Sequence, residues 1–514
     1  MSDNSEMKNR DLRIPFLLGI GLVLFFSYFV LHFSKYPIDD AFIHLRIARN
    51  IAGAGLPEFN LGERVLGSSP HLWINLLALF LFFNPDSFAF VAWLEVAFVI
   101  LGFVQILVLL GSQFHPVPRT LLAGLTTALL LLPSAAGLME TPLAICIFLA
   151  AVRAFENRQF VWLGFWVGTL VTVRMEYFIL VPLVLIFLTE KKEFKKYATG
   201  LALPLAAFFS YTFWYFGTPV PFPAIAKKVV YNIGFREFVE NIPAISNYPS
   251  ILNPALPSGA KAWMILASAF ALICLVANQV RQRQIGRGAL LMFVFGQSLL
   301  LAYAIRSVFV FSWYAPLFSV PIALSLLLQF NGKKLAWVSA LFFASMVNST
   351  IVGCADLAAA VSGHDEFLEE YATGWRVHQY LAIGEKLWHE NPRQTVLAPE
   401  IGGLGWSFKG HLIDACALVS PETLKYHPLS VPTERKSNFD GAIPLGAALD
   451  LKPDTIVSLP RFSMVLKSRS DSQPIPYKAV DRYPILPKEE SERTHVWGVW
   501  EDSEILVFRR QNLD

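Results

Sequence analysis

Two adjacent carboxylates open the stretch of this chain whose side chains are best suited to chemistry. Asp39 and Asp40 begin the helical pattern in YPIDDAFIHLRIARN. On that helix Asp39, Arg46 and Asn50 fall on one face, and Asp40 shares the neighbouring face with His44. One carboxylate is enough to cap a helix start, so capping is the alternative interpretation for one member of the pair. An ionised carboxylate that is left over can act as a general base.

Separate parts of the chain supply cations that could accompany such a base. Arg174 and Glu176 lie in the short turn TVRMEY, and Glu140 lies in GLMETP. Lys227 and Lys228 follow the proline-rich segment FGTPVPFPAIA. Ionisable groups at a membrane are costly unless they pair or function, so Arg174 and the two lysines are predicted to bind a phosphate. The alternatives are that Arg174 pairs with Glu176 and that the lysines contact lipid headgroups or water.

Two further pairs of residues are candidates for binding substrate or organising the site. Trp313 and Tyr314 in FSWYAP follow Arg306 and are typical of an aromatic belt at a membrane interface. Glu400 and Asp414 lie in APEIGGLGWSFKGHLIDACALVSPE, where acceptor binding and structural turns are both open interpretations. The glycines of that segment lack the G-x-G-x-x-G spacing of a dinucleotide-binding loop.

The cysteines show no spacing that is typical of a metal or redox site. Cys146 and Cys274 lie in apolar runs, Cys354 ends another, and Cys416 lies far downstream. We therefore predict no metal ligands and no certain cofactor. The paired aspartates are compatible with a divalent cation but do not require one.

The composition requires that these groups be held in or beside a membrane. Of 514 residues, 54% are hydrophobic and only 16% are charged, whereas a soluble domain has roughly 25% charged residues. Disordered chains, secreted disulfide scaffolds and nucleic-acid-binding proteins are excluded. The net charge of +3 indicates no polyanionic partner, because in a membrane protein the placement of Lys and Arg carries the information.

The apolar runs predict a polytopic α-helical membrane protein with about eleven transmembrane helices. These runs lie near 14–33, 86–112, 120–133, 142–154, 160–173, 177–189, 197–216, 262–279, 288–305, 308–329 and 335–353. The run 71–83 is expected to be a re-entrant or interfacial helix, because Lys and Arg then gather on the cytoplasmic side. The alternative, a twelfth short span, would reverse the sidedness of everything after it. The preferred topology has a cytoplasmic N-terminus and the C-terminus outside.

The chain is predicted to contain two domains. Residues 1–354 form the membrane domain with a first outer loop at 34–85, and residues 355–514 have the composition of a soluble α/β domain on the outer face. A helical pattern covers 363–390 and is followed by strand-like runs TVLAPE, DTIVSL and ILVFRR.

Carboxylates and cations on the outer face favour sugar transfer from a lipid-linked donor, since nucleotides are not available there. The leaving phosphate would gain charge that Lys227 and Arg174 can stabilise, and Asp39 or Asp40 would deprotonate the acceptor hydroxyl. The alternative is a transporter or flippase that binds the same lipid phosphate without breaking a bond, although no internal repeat is evident. A membrane scaffold that recruits partners is a third, weaker option.

The first loop, DDAFIHLRIARNIAGAGLPEFNLGERVLGSSPHLW, resembles that of bacterial GT-C glycosyltransferases related to the terminal arabinofuranosyltransferases. The family pattern runs DDA(F/Y)I, R-x-A-x-N, FNPGERVEG and Ser-Pro-Leu-Trp. Matching positions are Asp39, Asp40, Arg46, Asn50, Phe59, Asn60, Gly62, Glu63, Arg64, Gly67 and Trp73. His71 stands where the family has proline. GLMETPL, VRME, FGTPVPFPAIAK, WYAP and the segment that contains Glu400 and Asp414 extend the resemblance along nearly the whole chain.

The resemblance implies an inverting transferase that acts on the periplasmic face of a bacterial inner membrane. Its donor would be a polyprenyl-phosphate sugar and its acceptor a cell-envelope glycan or glycolipid, with membrane lipid as its surroundings and no nucleic acid partner. In related enzymes the first acidic residue of the pair is the more usual base. Asp39 is therefore the expected base, and Asp40 would orient it or bind the sugar.

Overall fold

The computed structural model describes residues 3–35, 37–111, 115–230, 286–306, 312–329, 362, 369–430, 442–468, 475–485 and 503–511. In the first part of the chain the α-helices are α1 (Asp3–Phe33), α2 (Asp39–Ala54), α3 (His71–Leu81), α4 (Ala89–Leu110), α5 (Pro116–Leu130), α6 (Leu132–Ala136), α7 (Thr141–Glu156), α8 (Phe160–Val173), α9 (Leu180–Phe187), α10 (Lys191–Phe216) and α11 (Phe222–Val230). Further along are α12 (Arg287–Arg306), α13 (Ala315–Gln329), α14 (Glu369–Glu390), α15 (Gly402–Ser407), α16 (Leu445–Leu451) and α17 (Met464–Ser468). Short 3-10 turns cover Met175–Ile179, Ser312–Tyr314 and Pro421–Tyr426.

The expectation of about eleven transmembrane helices is wrong. Among the described residues, two helices are long and apolar enough to cross a membrane: Arg13–Phe33 within α1, and Ala89–Leu110. The remaining apolar helices have 10–17 residues, and at 1.5 Å per residue even the longest falls short of the roughly 30 Å hydrocarbon core of a bilayer. The run 71–83 forms α3, whose 11 residues are also too few. The predicted spans 262–279 and 335–353 and the start of 308–329 lie outside the described residues.

Hydropathy overcounts spans here because an apolar run serves a protein core as well as it serves lipid. Helix α7 is buried along nearly all of its length by neighbouring helices. The predicted span 177–189 is interrupted, because the Met175–Ile179 turn leaves only eight residues for α9. Short helices of this kind share one large apolar core instead of crossing a bilayer singly.

The two long helices present apolar side chains outward. Phe16 and Leu24 on α1 are 69% and 66% exposed, and Trp93 on α4 is 63% exposed. Apolar surface of this kind on a long apolar helix is suited to lipid contact. The fold therefore supports association with a membrane through one or two helices, the first near the N-terminus.

A mixed five-stranded sheet forms in the C-terminal part, in the order β2-β1-β3-β5-β4. Its strands are β1 (Val396–Ala398), β2 (Leu412–Asp414), β3 (Thr455–Ser458), β4 (Tyr477–Pro484) and β5 (Glu504–Arg510). Strand β1 pairs in parallel with β2 and β3, whereas β5 runs antiparallel to β3 and β4. The three strand-like runs of the sequence become β1, β3 and β5, and the predicted helix at 363–390 is present as α14. The proposed domain boundary at 354 lies outside the described residues.

Helix α2 packs directly against α15, which follows β1. Gly402, the first residue of α15, lies so close to α2 that an added Cβ would sit 1.8 Å from the Asp39 carbonyl oxygen. Gly405 is similarly close, because its Cβ would meet the Arg46 guanidinium at 2.9 Å. The two glycines allow a backbone approach that side chains would block, and they bring the sheet-bearing segment against the predicted first loop.

Candidate functional site

Asp39 and Asp40 point to different neighbours, because adjacent residues on a helix lie about 100° apart around its axis. The Asp39 carboxylate accepts hydrogen bonds from two backbone N–H groups, of Gly402 at 2.9 Å and of Gly403 at 2.8 Å. Burial, with the nearby charge of Glu400, raises the pKa of Asp39 to about 7, although the two N–H groups oppose the shift. Asp39 therefore fixes the start of α2 against α15.

Arg46 and Asn50 continue the same face and are also engaged with backbone. Buried Arg46 donates to the carbonyl oxygens of Phe59 at 2.8 Å, Gly405 at 2.8 Å and Gly410 at 2.7 Å. Asn50 donates to the carbonyl oxygens of Glu58 and Phe59. These side chains hold the loop after α2 and the segment after α15 together.

Asp39, Arg46 and Asn50, with the backbone groups to which they are hydrogen-bonded, form what we call the bracing layer. Glu63 and Arg64 lie at its rim. Glu63 accepts a hydrogen bond from Asn60 at 2.9 Å and lies 2.8 Å from His411 Nε2. The hydrogen bond with His411, followed by that from Asn60, holds the pKa of Glu63 below its ordinary value. Arg64 is exposed and lies over the ring of Tyr215.

The other face of α2 meets a cluster of buried charges. Asp40 and His44 lie one turn apart, and both interact electrostatically with Lys227. His44 Nδ1 lies 3.7 Å from Glu140 Oε2, and Glu140 is completely buried. The structure thus brings Glu140 and Lys227, which are distant in the sequence, close to Asp40 and His44 on α2.

Arg174 is the centre of this cluster. It donates to Glu140 at 2.5 Å and to Glu176 at 2.9 Å, and Glu176 also accepts from the Tyr303 hydroxyl at 3.3 Å. The two carboxylates largely neutralise the positive charge of the Arg174 guanidinium. Arg174 therefore mainly holds the neighbouring side chains in place and has little charge left to bind a ligand. The alternative pairing of Arg174 with Glu176 is thereby present, with Glu140 as a second partner.

Lys227 approaches the cluster from α11 and is held by an aromatic ring. Its Nζ donates to the Tyr314 hydroxyl at 2.8 Å, and Arg174 lies over the same ring, 4.1 Å from its centroid. The neighbouring Trp313 accepts from Thr141 through its carbonyl oxygen at 2.9 Å. Lys228 is exposed and does not share the half-buried position of Lys227. Tyr314 therefore places two cations close together.

The protonation states follow from burial and from the neighbouring charges. Burial lowers the pKa of His44 although Glu140 and Asp40 oppose it, so the imidazole is neutral near pH 7. Burial acts to raise the pKa of Glu140, but the charge of Arg174 and its hydrogen bond to the carboxylate outweigh burial, so the carboxylate is ionised. Burial acts to lower the pKa of Lys227, but Tyr314 and Asp40 outweigh it and the ammonium keeps its charge.

The remaining predicted residues lie in other surroundings. Burial lowers the pKa of His71 to about 4, and its ring meets Phe208 edge to face, with 5.1 Å between the centroids. Glu400 pairs with Arg376 at 2.9 Å. Asp414 accepts from the backbone N–H groups of Cys416, Leu418 and Val419, which is a structural turn. Within the described ranges no group of three or more His, Cys, Asp or Glu side chains is placed to hold a metal ion, and the cysteines there, Cys146 and Cys416, are buried.

No family model, no curated protein and no solved structure matches this chain. The resemblance to GT-C glycosyltransferases therefore rests on the sequence motifs alone. Three residues that contribute to the site, Tyr303, Gly402 and Gly403, have no predicted role in the sequence analysis. Tyr303 lies inside an apolar run, where its only signal is its closeness to Arg306. Gly402 and Gly403 lie in a segment that extends the family resemblance and lacks the spacing of a nucleotide loop, but nothing in the sequence predicts their contact with Asp39.

Proposed function

We propose that this protein transfers a sugar from a polyprenyl-phosphate donor to a cell-envelope glycan or glycolipid at a membrane surface. The observation that carries the proposal is the arrangement around Asp40, a carboxylate that interacts electrostatically with Lys227, whose ammonium donates to the Tyr314 hydroxyl. A base and a cation in one half-buried cluster match the two charges that develop in such a transfer. The end of α1 at Phe33 places this cluster just beyond a helix that could cross the membrane.

We assign the base to Asp40 and not to Asp39. Both carboxylate oxygens of Asp39 already accept backbone hydrogen bonds, so an incoming hydroxyl would have to displace one of them. Asp40 instead interacts electrostatically with His44 and Lys227. It would take the proton of the acceptor hydroxyl while the new glycosidic bond forms on the anomeric carbon. The bond from that carbon to the phosphate oxygen breaks on the opposite side, which inverts the configuration.

Lys227 is the residue best placed to stabilise the departing polyprenyl phosphate. Its ammonium donates to the Tyr314 hydroxyl, whereas the Arg174 guanidinium is shared by two carboxylates. Arg174 then fixes Glu140, Glu176 and the Tyr314 ring around the lysine. A preorganised cation in a water-poor site acts on developing charge without reorganisation.

The outer face of a bacterial inner membrane is the proposed location. Lys8, Arg10 and Arg13 precede the apolar part of α1, which favours a cytoplasmic N-terminus and puts α2 on the other side. In a variant whose four native cysteines are replaced by serine, a cysteine introduced at the exposed Ala54, the last residue of α2, should react with a membrane-impermeant maleimide in intact spheroplasts. Reaction only after the membrane is broken would contradict this location.

Transfer itself is tested with purified protein in lipid nanodiscs. The donors are synthetic farnesyl phosphoryl sugars, the acceptor is envelope glycolipid extracted from a strain that lacks the protein, and mass spectrometry detects the product. Asp40→Asn should lower turnover by about 10²–10⁴-fold, and Asp481→Asn, in a surface ion pair with Lys386, is the matched control. Full activity of Asp40→Asn would remove it as the base, and movement of donor across the bilayer without product would favour a flippase.

A further inference from the structure

Two buried polar atoms in the cluster face each other without a hydrogen-bond partner. His44 Nδ1 and Glu140 Oε2 are 3.7 Å apart, which is too long for a direct hydrogen bond. Neither atom has another hydrogen-bond partner among the described residues. His44 is 7% exposed and Glu140 is fully buried. Unsatisfied buried polar atoms cost free energy, so a pair of them indicates a group that is supplied from outside the protein.

The chemistry of the pair selects the kind of group. An ionised carboxylate oxygen only accepts, whereas a neutral imidazole donates from Nδ1 in the tautomer that carries its proton there. A hydroxyl satisfies both, since it donates to Glu140 and accepts from His44. A phosphate oxygen would be repelled by the carboxylate, and a hydrocarbon would satisfy neither atom.

We propose that a hydroxyl group of the transferred sugar bridges His44 Nδ1 and Glu140 Oε2, so that this pair helps to select the sugar. The proposal rests on the proposed function, because it places the sugar between the base Asp40 and the phosphate-binding Lys227. Asp40 lies one turn before His44 on α2, and Arg174 ties Glu140 to the ring that holds Lys227. A sugar whose phosphate meets Lys227 thus has a hydroxyl-binding pair within the same cluster.

The test separates binding of sugar from binding of lipid phosphate. Dissociation constants are measured in nanodiscs for farnesyl phosphate and for a panel of farnesyl phosphoryl pentoses and hexoses. We expect at least one sugar to increase affinity by roughly 10-fold or more over farnesyl phosphate, which is the effect of one well-made hydrogen bond to a charged group. His44→Phe should abolish that increase and leave the affinity for farnesyl phosphate within about 2-fold. His115→Phe, at an exposed histidine outside the cluster, should change neither.

The possible outcomes distinguish a failure of the proposed phosphate site at Lys227 from a failure of the proposed sugar contact at His44 and Glu140. Farnesyl phosphate that fails to bind, or that binds equally to Lys227→Ala, would overturn the proposed phosphate site. Farnesyl phosphate that binds with no gain from any sugar would show that the pair holds water, and would overturn this inference alone. An equal gain in wild type and His44→Phe would do the same.

A second experiment uses only the wild-type protein, so the proposal can still be tested if His44→Phe does not fold. The best sugar of the panel is replaced by its series of monodeoxy analogues in the wild-type protein. One deoxy position should lose most of the sugar's gain, because only one hydroxyl can bridge the pair. Uniform small losses at every position would overturn the inference.

Discussion

Substitution of Gly402 by alanine tests whether α15 positions the aspartate pair. The new Cβ would lie 1.8 Å from the Asp39 carbonyl oxygen and 2.8 Å from Asp39 Cγ. Ordinary contacts of a Cβ start at 3.4 Å, so the backbones must separate by about 1.6 Å to restore one. That movement exceeds what the hydrogen bonds of 2.9 Å and 2.8 Å to Asp39 can tolerate.

The cost of Gly402→Ala has a thermodynamic part and a kinetic part. Overpacking of a close contact costs about 1–3 kcal/mol, and weakened hydrogen bonds to a charged group add to it, so we expect about 2–4 kcal/mol of destabilisation. A displacement of about 1 Å at a catalytic group lowers turnover by about 10²-fold. Because Asp40 follows Asp39 directly, both effects should appear together.

The assay is turnover in nanodiscs combined with a thermal unfolding curve for each variant. Gly53→Ala on the same helix is the matched control, because no heavy atom lies within 4 Å of its added Cβ, and it should be neutral or stabilising by about 0.5–1 kcal/mol. Wild-type turnover and wild-type stability in Gly402→Ala would refute the argument that α15 holds the start of α2. Lower stability with unchanged turnover would separate the packing contact from the position of Asp40.

Three further predictions concern the same surroundings. Because the pKa of Asp39 is raised to about 7, its contribution to stability is present below about pH 3.8 and is lost as the pH rises through about 7; Asp39→Asn should remove this part of the pH dependence in thermal unfolding curves. Arg46→Lys keeps the charge but cannot reproduce the fork of hydrogen bonds, so it should cost about 2–4 kcal/mol in denaturant unfolding, whereas Arg64→Lys at an exposed site should change stability by under about 0.5 kcal/mol. Tyr314→Phe removes the hydroxyl that accepts from Lys227 and should raise the KM for donor about 10-fold with a smaller change in kcat; the opposite split would show that the hydroxyl acts in chemistry and not in donor binding.

Local periodicity was sufficient to predict how α2 presents its side chains. Asp39, Arg46 and Asn50 all belong to the bracing layer, and Asp40 and His44 both face the charged cluster. The helical repeat alone determines such a division. The helical repeat does not predict which residues each face contacts. Gly402, which contacts Asp39, lies more than 360 residues away in the chain.

The span count failed for a related physical reason. Hydropathy measures whether a segment avoids water, and it does not distinguish a neighbouring helix from lipid. The buried residues of α7 and the exposed Phe16 and Leu24 of α1 have the same apolar character. Length separates them, but the contacts that bury a short helix, such as that of Arg174 with Glu140, 34 residues away, lie outside the window that a hydropathy count uses.

Under the proposed function the two aspartates have separate roles, which gives a reason for a pair where one cap would be enough. Asp39 commits both oxygens to the backbone of Gly402 and Gly403, and so it fixes the axial position and rotation of the first turn of α2. Because Asp40 follows Asp39 on the same helix, its position near His44 and Lys227 is fixed as well, although Asp40 makes no hydrogen bond to the backbone of Gly402 or Gly403. A single carboxylate could either anchor the helix or remain available to a substrate hydroxyl. The C-terminal segment is therefore part of the proposed catalytic apparatus, because the position of Asp40 depends on the backbone of α15.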